Sequence, residues 1–141
     1  MITEDYVSFE TAKLLKEKGF NDEVKSFYGY DSEFKVWEFE EDDRWDTPNN
    51  WGSYYCSAPT LQMAMKWLRE KYRLEIYPYH DMFQENNKWW YGIEKFTKGC
   101  SNCQYEEEPI YSTYEEACEA AIKYCLENLI QDEERRKIKS L

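Results

Sequence analysis

Cys100 and Cys103 stand with two residues between them, the spacing of half a zinc site or of a redox pair. A structural zinc takes four ligands, and the chain offers no second cysteine pair of that kind. His80, the sole histidine, and Cys56 are the remaining donors that could complete a set. Gly99 and Asn102 are turn formers, which puts the pair in a turn and away from the helix start that a redox cysteine wants. No cofactor and no metal are therefore expected, with Cys100 and Cys103 kept as the weak alternative. Cys118 and Cys125 are seven apart on the apolar arc of a helix, where small buried thiols belong. His80 and Asp81 are neighbours that could form a general base, but no GxSxG, HExxH or glycine-rich phosphate loop supplies the rest of a catalytic site. An enzyme is not expected.

The candidates for binding are of another kind. Trp37, Trp89 and Trp90 lie in strand-like segments, and flat rings there either pack into a core or stack on a sugar or a base. Lys66, Arg69 and Arg73 share one arc of a helix and could meet an acidic partner or a phosphate, or pair with the chain's own acids. Met63 and Trp67, four apart, form a small apolar surface opposite the helix's main stripe. A core role does not account for those two groups.

These residues must be held by elements, and the pattern predicts them. Residues 57–79 read as a capped amphipathic helix running into a strand. Ser57 is the expected N-cap and Pro59 sits in the first turn, while Leu61, Ala64, Met65, Leu68 and Tyr72 fall on one arc at about 100° per residue. From Leu74 the period changes to two, with Pro78 favouring a strand end or a sheet edge. Before this stretch, a helix over 8–18 has Ser8 as its cap, Thr11, Ala12, Leu14 and Leu15 as its apolar face, and Gly19 with Phe20 as its end. Strands over 24–30 and 34–40 then form a hairpin turning at Asp31 and Ser32. Residues 41–55 read as a long loop around Pro48, Asn49, Asn50 and Gly52, with Trp45 and Trp51 packed on the domain or on a partner. After it, a strand over 88–96 pairs with the strand following the central helix, 97–109 is a second loop, and a helix over 113–130 carries a capping box at its start. Residues 131–141 read as a solvated or frayed tail.

The predicted class is thus α+β, two antiparallel hairpins forming a sheet with helices on one face, in the order α-β-β-α-β-β-α within a single domain of 141 residues. Aromatic content of 18% argues for a folded chain. The acidic start and the lack of a long apolar window argue for a cytoplasmic location with no membrane contact. A net charge of −11 opposes direct nucleic-acid binding, which needs excess Lys and Arg on the contacting face. That charge is concentrated around 31–46 and 106–119.

The SAPT run at 57–60, KWLRE at 66–70, IYPY at 76–79 and FETAKLLKEKGF at 9–20 resemble a group of small proteins from anaerobic gut bacteria and their phages. The resemblance implies a genomic neighbourhood; no activity, cofactor or catalytic residue comes with it. Together the observations point to an accessory protein acting by protein contact, with an acidic inhibitor or nucleic-acid mimic as the specific form. The partner is an unidentified protein, with a homodimer left open. The alternative is a small-ligand or carbohydrate-binding domain that uses an aromatic sheet face.

Overall fold

A computed structural model describes residues 2–81, 87–97, 99–106 and 110–130, giving the backbone alone at Cys100, Ser101 and Glu106. The chain divides into two compact units, residues 1–60 and 61–141, each with its own three-stranded antiparallel sheet. The protein is therefore of mixed α+β class.

In the first unit, helix α1 (Phe9–Glu17) is started by Ser8, whose hydroxyl accepts a hydrogen bond from the Thr11 amide at 3.3 Å. It is ended by Gly19, which takes the left-handed φ of 88° that a β-carbon disfavours. Phe20 then donates its amide to the Leu15 carbonyl at 2.9 Å and buries its ring. Strand β1 (Val24–Asp31) lies in the middle of the sheet, flanked by β2 (Val36–Asp46) and by the short β3 (Tyr55–Ser57). The β1–β2 turn is tied by the Asp31 carboxylate, which accepts from the Glu33 amide at 2.9 Å and the Phe34 amide at 3.3 Å.

Residues 41–55 are not the long loop that their turn residues suggest. β2 continues to Asp46, Pro48–Asn50 form a 3₁₀ turn with Pro48 buried, and β3 begins at Tyr55. The acids at 41–43 hide the strand because they are poor strand formers, yet an exposed edge tolerates them. Asn49 is the tether. Its side-chain oxygen accepts from the Ser57 amide at 2.7 Å, its side-chain nitrogen donates to the Phe20 carbonyl at 2.7 Å, and its own amide donates to the Ser57 hydroxyl at 3.1 Å.

Ser57 is consequently a strand residue and not the expected helix cap. The chain after it stays extended: Ala58 donates its amide to the Ser26 carbonyl and the Pro59 carbonyl accepts from the Val7 amide, so the next helix starts at Leu61.

In the second unit, α2 (Leu61–Tyr72) buries Leu61, Ala64, Met65, Trp67 and Leu68. It ends at Arg73, which holds a left-handed φ of 60°, and passes directly into β4 (Leu74–His80). β4 pairs with the central strand β5 (Trp89–Thr97), and its Leu74 and Ile76 are buried. As Pro78 foretold, β4 is an edge. β5 also pairs with β6 (Cys100–Glu106), a strand that falls where a loop was expected. Its polar composition conceals it, and a register shift opposite Ile93 and Glu94 breaks its alternation.

Helix α3 (Tyr114–Tyr124) begins with the predicted capping box. The Thr113 hydroxyl accepts from the Glu116 amide at 3.1 Å, and the Glu116 carboxylate accepts from the Ser112 amide at 3.0 Å. α3 runs into a π turn over Cys125–Leu129, whose wider winding rotates the inward face. Leu126 is buried and Leu129 only half-buried, while Cys118 and Cys125 are buried as their place on the apolar arc predicts, together with Ala117, Ala121 and Ile122. The tail at 131–141 lies outside the described residues. Among the described residues no helix is long and apolar enough to cross a membrane.

Both units start with a helix followed by three strands, but the first strand is central in one and the second strand in the other. That difference in topology opposes a duplicated origin.

Candidate functional site

β2 gathers the features that a folded core does not explain. It lies at a sheet edge, so one side of its backbone is hydrogen-bonded to β1 and the other faces away from the sheet. Its residues include Glu38, Glu40, Glu41, Asp42, Asp43 and Asp46, with Arg44 as the sole base. The register explains how the side chains divide. Trp37 opposes Tyr30 and Phe39 opposes Tyr28, on the face that α1 covers; Glu38 opposes Gly29 and Glu40 opposes Phe27, on the other face.

That other face is aromatic and acidic together. Phe27, Trp51 and Tyr55 form a cluster of edge-to-face rings with centroids 5.1 to 6.0 Å apart. Gly29 leaves a gap beside them, where an added β-carbon would stand 3.4 Å from the Glu40 carboxylate and 3.9 Å from the Tyr55 ring. At the far end, Val24 pairs with Asp46 while Ser26 pairs with Glu41, so residues 42–45 bulge outward. Trp45 projects from the bulge, 55% exposed, with the Lys25 ammonium 5.1 Å above its ring. Phe34, Val36 and Phe39 are exposed as well. Among the described residues of the second unit, Tyr79 and Ile110 are the comparable exposed apolar side chains.

The other face of the same sheet holds a cavity of about 370 Å³, lined by Phe9, Lys13, Lys16, Glu17, Trp37, Ser53 and Cys56. Trp37 stacks on Phe9 at 4.7 Å and 27°, and it leans on Tyr30 at 5.4 Å. Lys16 donates from Nζ to the carbonyls of Gly52 and Tyr55, each at 2.6 Å. Burial pushes the Cys56 thiol above its ordinary pKa, against the opposing pull of Lys16 and Lys13.

The remaining predicted candidates fare differently. Trp67 is buried and meets Tyr72 edge to face at 5.3 Å, so it offers no open surface with the half-buried Met63. Its apolar ring was read as a spare face because the arc rule sees one helix and not what closes around it. Lys66 pairs with Glu70 at 3.9 Å and Arg69 with Glu75 at 3.4 Å, so two members of the basic arc are matched by the chain's own acids. Arg73 ends the helix and makes no ion pair among the described residues.

Trp89 and Trp90 face opposite sides of the sheet. Trp89 packs beside His80 and Tyr114, while Trp90 leans on Tyr79 at 4.6 Å. Tyr79 in turn covers Gly92, where a β-carbon would stand 3.4 Å from its ring.

His80 Nε2 shares a hydrogen bond with Asn87 Oδ1. Cys100 opposes Thr97 and Cys103 opposes Glu94 along β6, so the pair sits on a strand and not in a turn. Cys103 is exposed; burial pushes Cys118 up to about 11 and Cys125 up to about 12, which keeps both as inert thiols. Among the described residues no group of three or more His, Cys, Asp or Glu side chains is placed to hold a metal ion.

The edge of β2 was missed as a site because its second half reads as loop. The signal that could have found it is the repeated pairing of an acid with an aromatic or branched residue from Val36 to Glu41. Of the cavity's lining, Trp37 and Cys56 were singled out from the sequence, Cys56 only as a possible metal ligand. In comparisons with protein-family models, with curated proteins and with solved structures, the chain matches none.

Proposed function

We propose that the protein is a non-enzymatic contact protein whose first unit takes up an extended, basic segment of a partner protein along the free edge of β2. The observation that carries this reading is the coincidence, on one edge strand, of a backbone side that no strand pairs with among the described residues, six carboxylates and exposed Val36, Phe39 and Trp45. A strand edge supplies main-chain hydrogen bonds to an added strand, and alternate side chains supply selectivity. Carboxylates on that edge repel a second copy of the same strand, which disfavours a homodimer built β2 to β2, and attract Lys or Arg. An acidic inhibitor that imitates nucleic acid is one form of such a contact. The resemblance to proteins of phages and gut bacteria fits an accessory role of this type.

Three synthetic peptides of equal length test it: alternating Lys and Val, the same composition interrupted by Pro, and alternating Glu and Val. The Lys-Val peptide should bind, weaken as salt rises, and lose about tenfold or more in affinity to a variant carrying Glu38→Gln, Glu40→Gln, Glu41→Gln and Asp43→Asn. A variant with Glu70, Glu115, Glu119 and Glu127 changed to Gln should bind as the parent does. Equal binding of the Pro-interrupted peptide, or equal losses in the two variants, would leave general acidity as the explanation and sink the edge-strand reading.

A further inference from the structure

We infer that the cavity between α1 and the sheet of the first unit binds a small aromatic carboxylate. The inference does not rest on contact at the β2 edge: the cavity lies on the sheet face that α1 covers, and it shares only Trp37 with β2.

The sequence of α1 creates the space. Phe9, Lys13, Lys16 and Glu17 recur at the helical spacing that places them on one face, and that face lies over Trp37 and Cys56. Thr11, Ala12 and Leu15 carry the core face of α1, so these four residues form a second face that borders the sheet at Trp37 and Cys56. Lysine stems line the wall and send their charges to the rim. Across from them Ser53 and Cys56 are small, so the volume stays open.

The wall chemistry selects the ligand's body. Phe9 and Trp37, stacked on one another with 27° between their planes, make an apolar aromatic wall. Cys56 is a buried thiol whose pKa is raised, so it adds a neutral, apolar surface with no nucleophile. A cavity of about 370 Å³ falls in the size range of small-molecule sites and suits a planar ring system better than a peptide segment.

The rim selects the head group. Lys16 is fixed by the Gly52 and Tyr55 carbonyls and keeps a third N–H. Lys13 is exposed and makes no hydrogen bond or ion pair among the described residues. Against these two cations stands Glu17, so the rim is positive in a chain whose net charge is −11. One carboxylate matches that surplus. A phosphate would bring more charge and a larger hydration cost than one exposed ammonium group and one already held by two carbonyls offset.

The probe is 2-naphthoate, with 2-naphthamide as its uncharged twin, titrated calorimetrically into the full chain and into Lys13→Met and Trp37→Leu variants. Lys13 is exposed, so its substitution leaves the fold intact, and a thermal melt of each variant confirms that. Naphthoate should bind the parent at least about tenfold more tightly than naphthamide does, and Lys13→Met should remove most of that difference while leaving naphthamide unchanged. Trp37→Leu should weaken both. No naphthoate binding at millimolar concentration, equal affinity for the two probes, or a Lys13→Met affinity equal to the parent's would each overturn the inference.

Discussion

The two units use their aromatic and apolar residues in opposite ways. The second buries its sheet under two helices whose stripes are aliphatic or small: Leu61, Ala64, Met65 and Leu68 from α2, and Ala117, Cys118, Ala121 and Ile122 from α3. The first covers its sheet with one short helix that turns lysines over Trp37, and it leaves Phe34, Val36, Phe39 and Trp45 in solvent among carboxylates. Among the described residues of the second unit, Tyr79 and Ile110 are the large apolar side chains left exposed. In the first unit more apolar surface is left over, and surface left over beside fixed charge is what recognition uses.

The contrast breaks most readily at the cores. Leu68→Ala empties a fully buried site in the second unit and should cost about 3 kcal/mol, read as a shift in chemical denaturation. A cost near zero would mean that the α2 stripe is not the packing it looks like. In the first unit the larger penalty should come from a polar residue. Asn49→Ala removes its side-chain bonds to the Ser57 amide and the Phe20 carbonyl and leaves a buried amide without its partner, at about 2 kcal/mol. Asn49→Asp, which keeps the acceptor and loses the donor, should fall between.

The buried thiols sharpen the comparison through pH. Cys118 and Cys125 are raised from the usual 9.0 to about 11 and about 12 by burial. Unfolded thiols begin to ionise near pH 9 while the folded ones keep their protons, so this part of the stability is whole below that pH and is lost as pH rises toward 11 and 12. A Cys118→Ala variant should show a shallower alkaline fall in denaturation midpoint than the parent. The same slope in both would place the effect elsewhere. The smallest change should be Lys13→Met, below about 0.5 kcal/mol, because a residue over a cavity supports little packing.

Legibility followed the same division. The helices of both units were readable because caps and stripes are local: Ser8, Gly19 and the Thr113 and Glu116 box stand where the chain needs them. The two hairpins were readable from alternation. What escaped were edges. β6 and the end of β2 are held by a neighbour on one side, so their own residues need not be strand formers, and acids and Asn or Gln can fill them. Ser57 was misread for a related reason, since a Ser before a Pro resembles a cap until Asn49, eight residues earlier, is seen to occupy it.

Of the candidate site, Trp37 was named from the sequence as a binding residue, Cys56 only as a possible metal ligand, and the α1 residues and Ser53 were not named. The lysines of α1 belong to an unremarkable charged face until the fold sets them over that ring. Trp67 shows the reverse error, an apolar side chain taken as spare that the fold encloses.

Amide hydrogen exchange of the full chain, with and without the alternating Lys-Val peptide, tests the central claim at its own level. Binding along the edge predicts slowed exchange at the β2 amides between Val36 and Glu41 that are not already bonded to β1, with α2 and α3 unchanged. Protection spread over the acids of both units, or none at β2 while the peptide is bound, would contradict it.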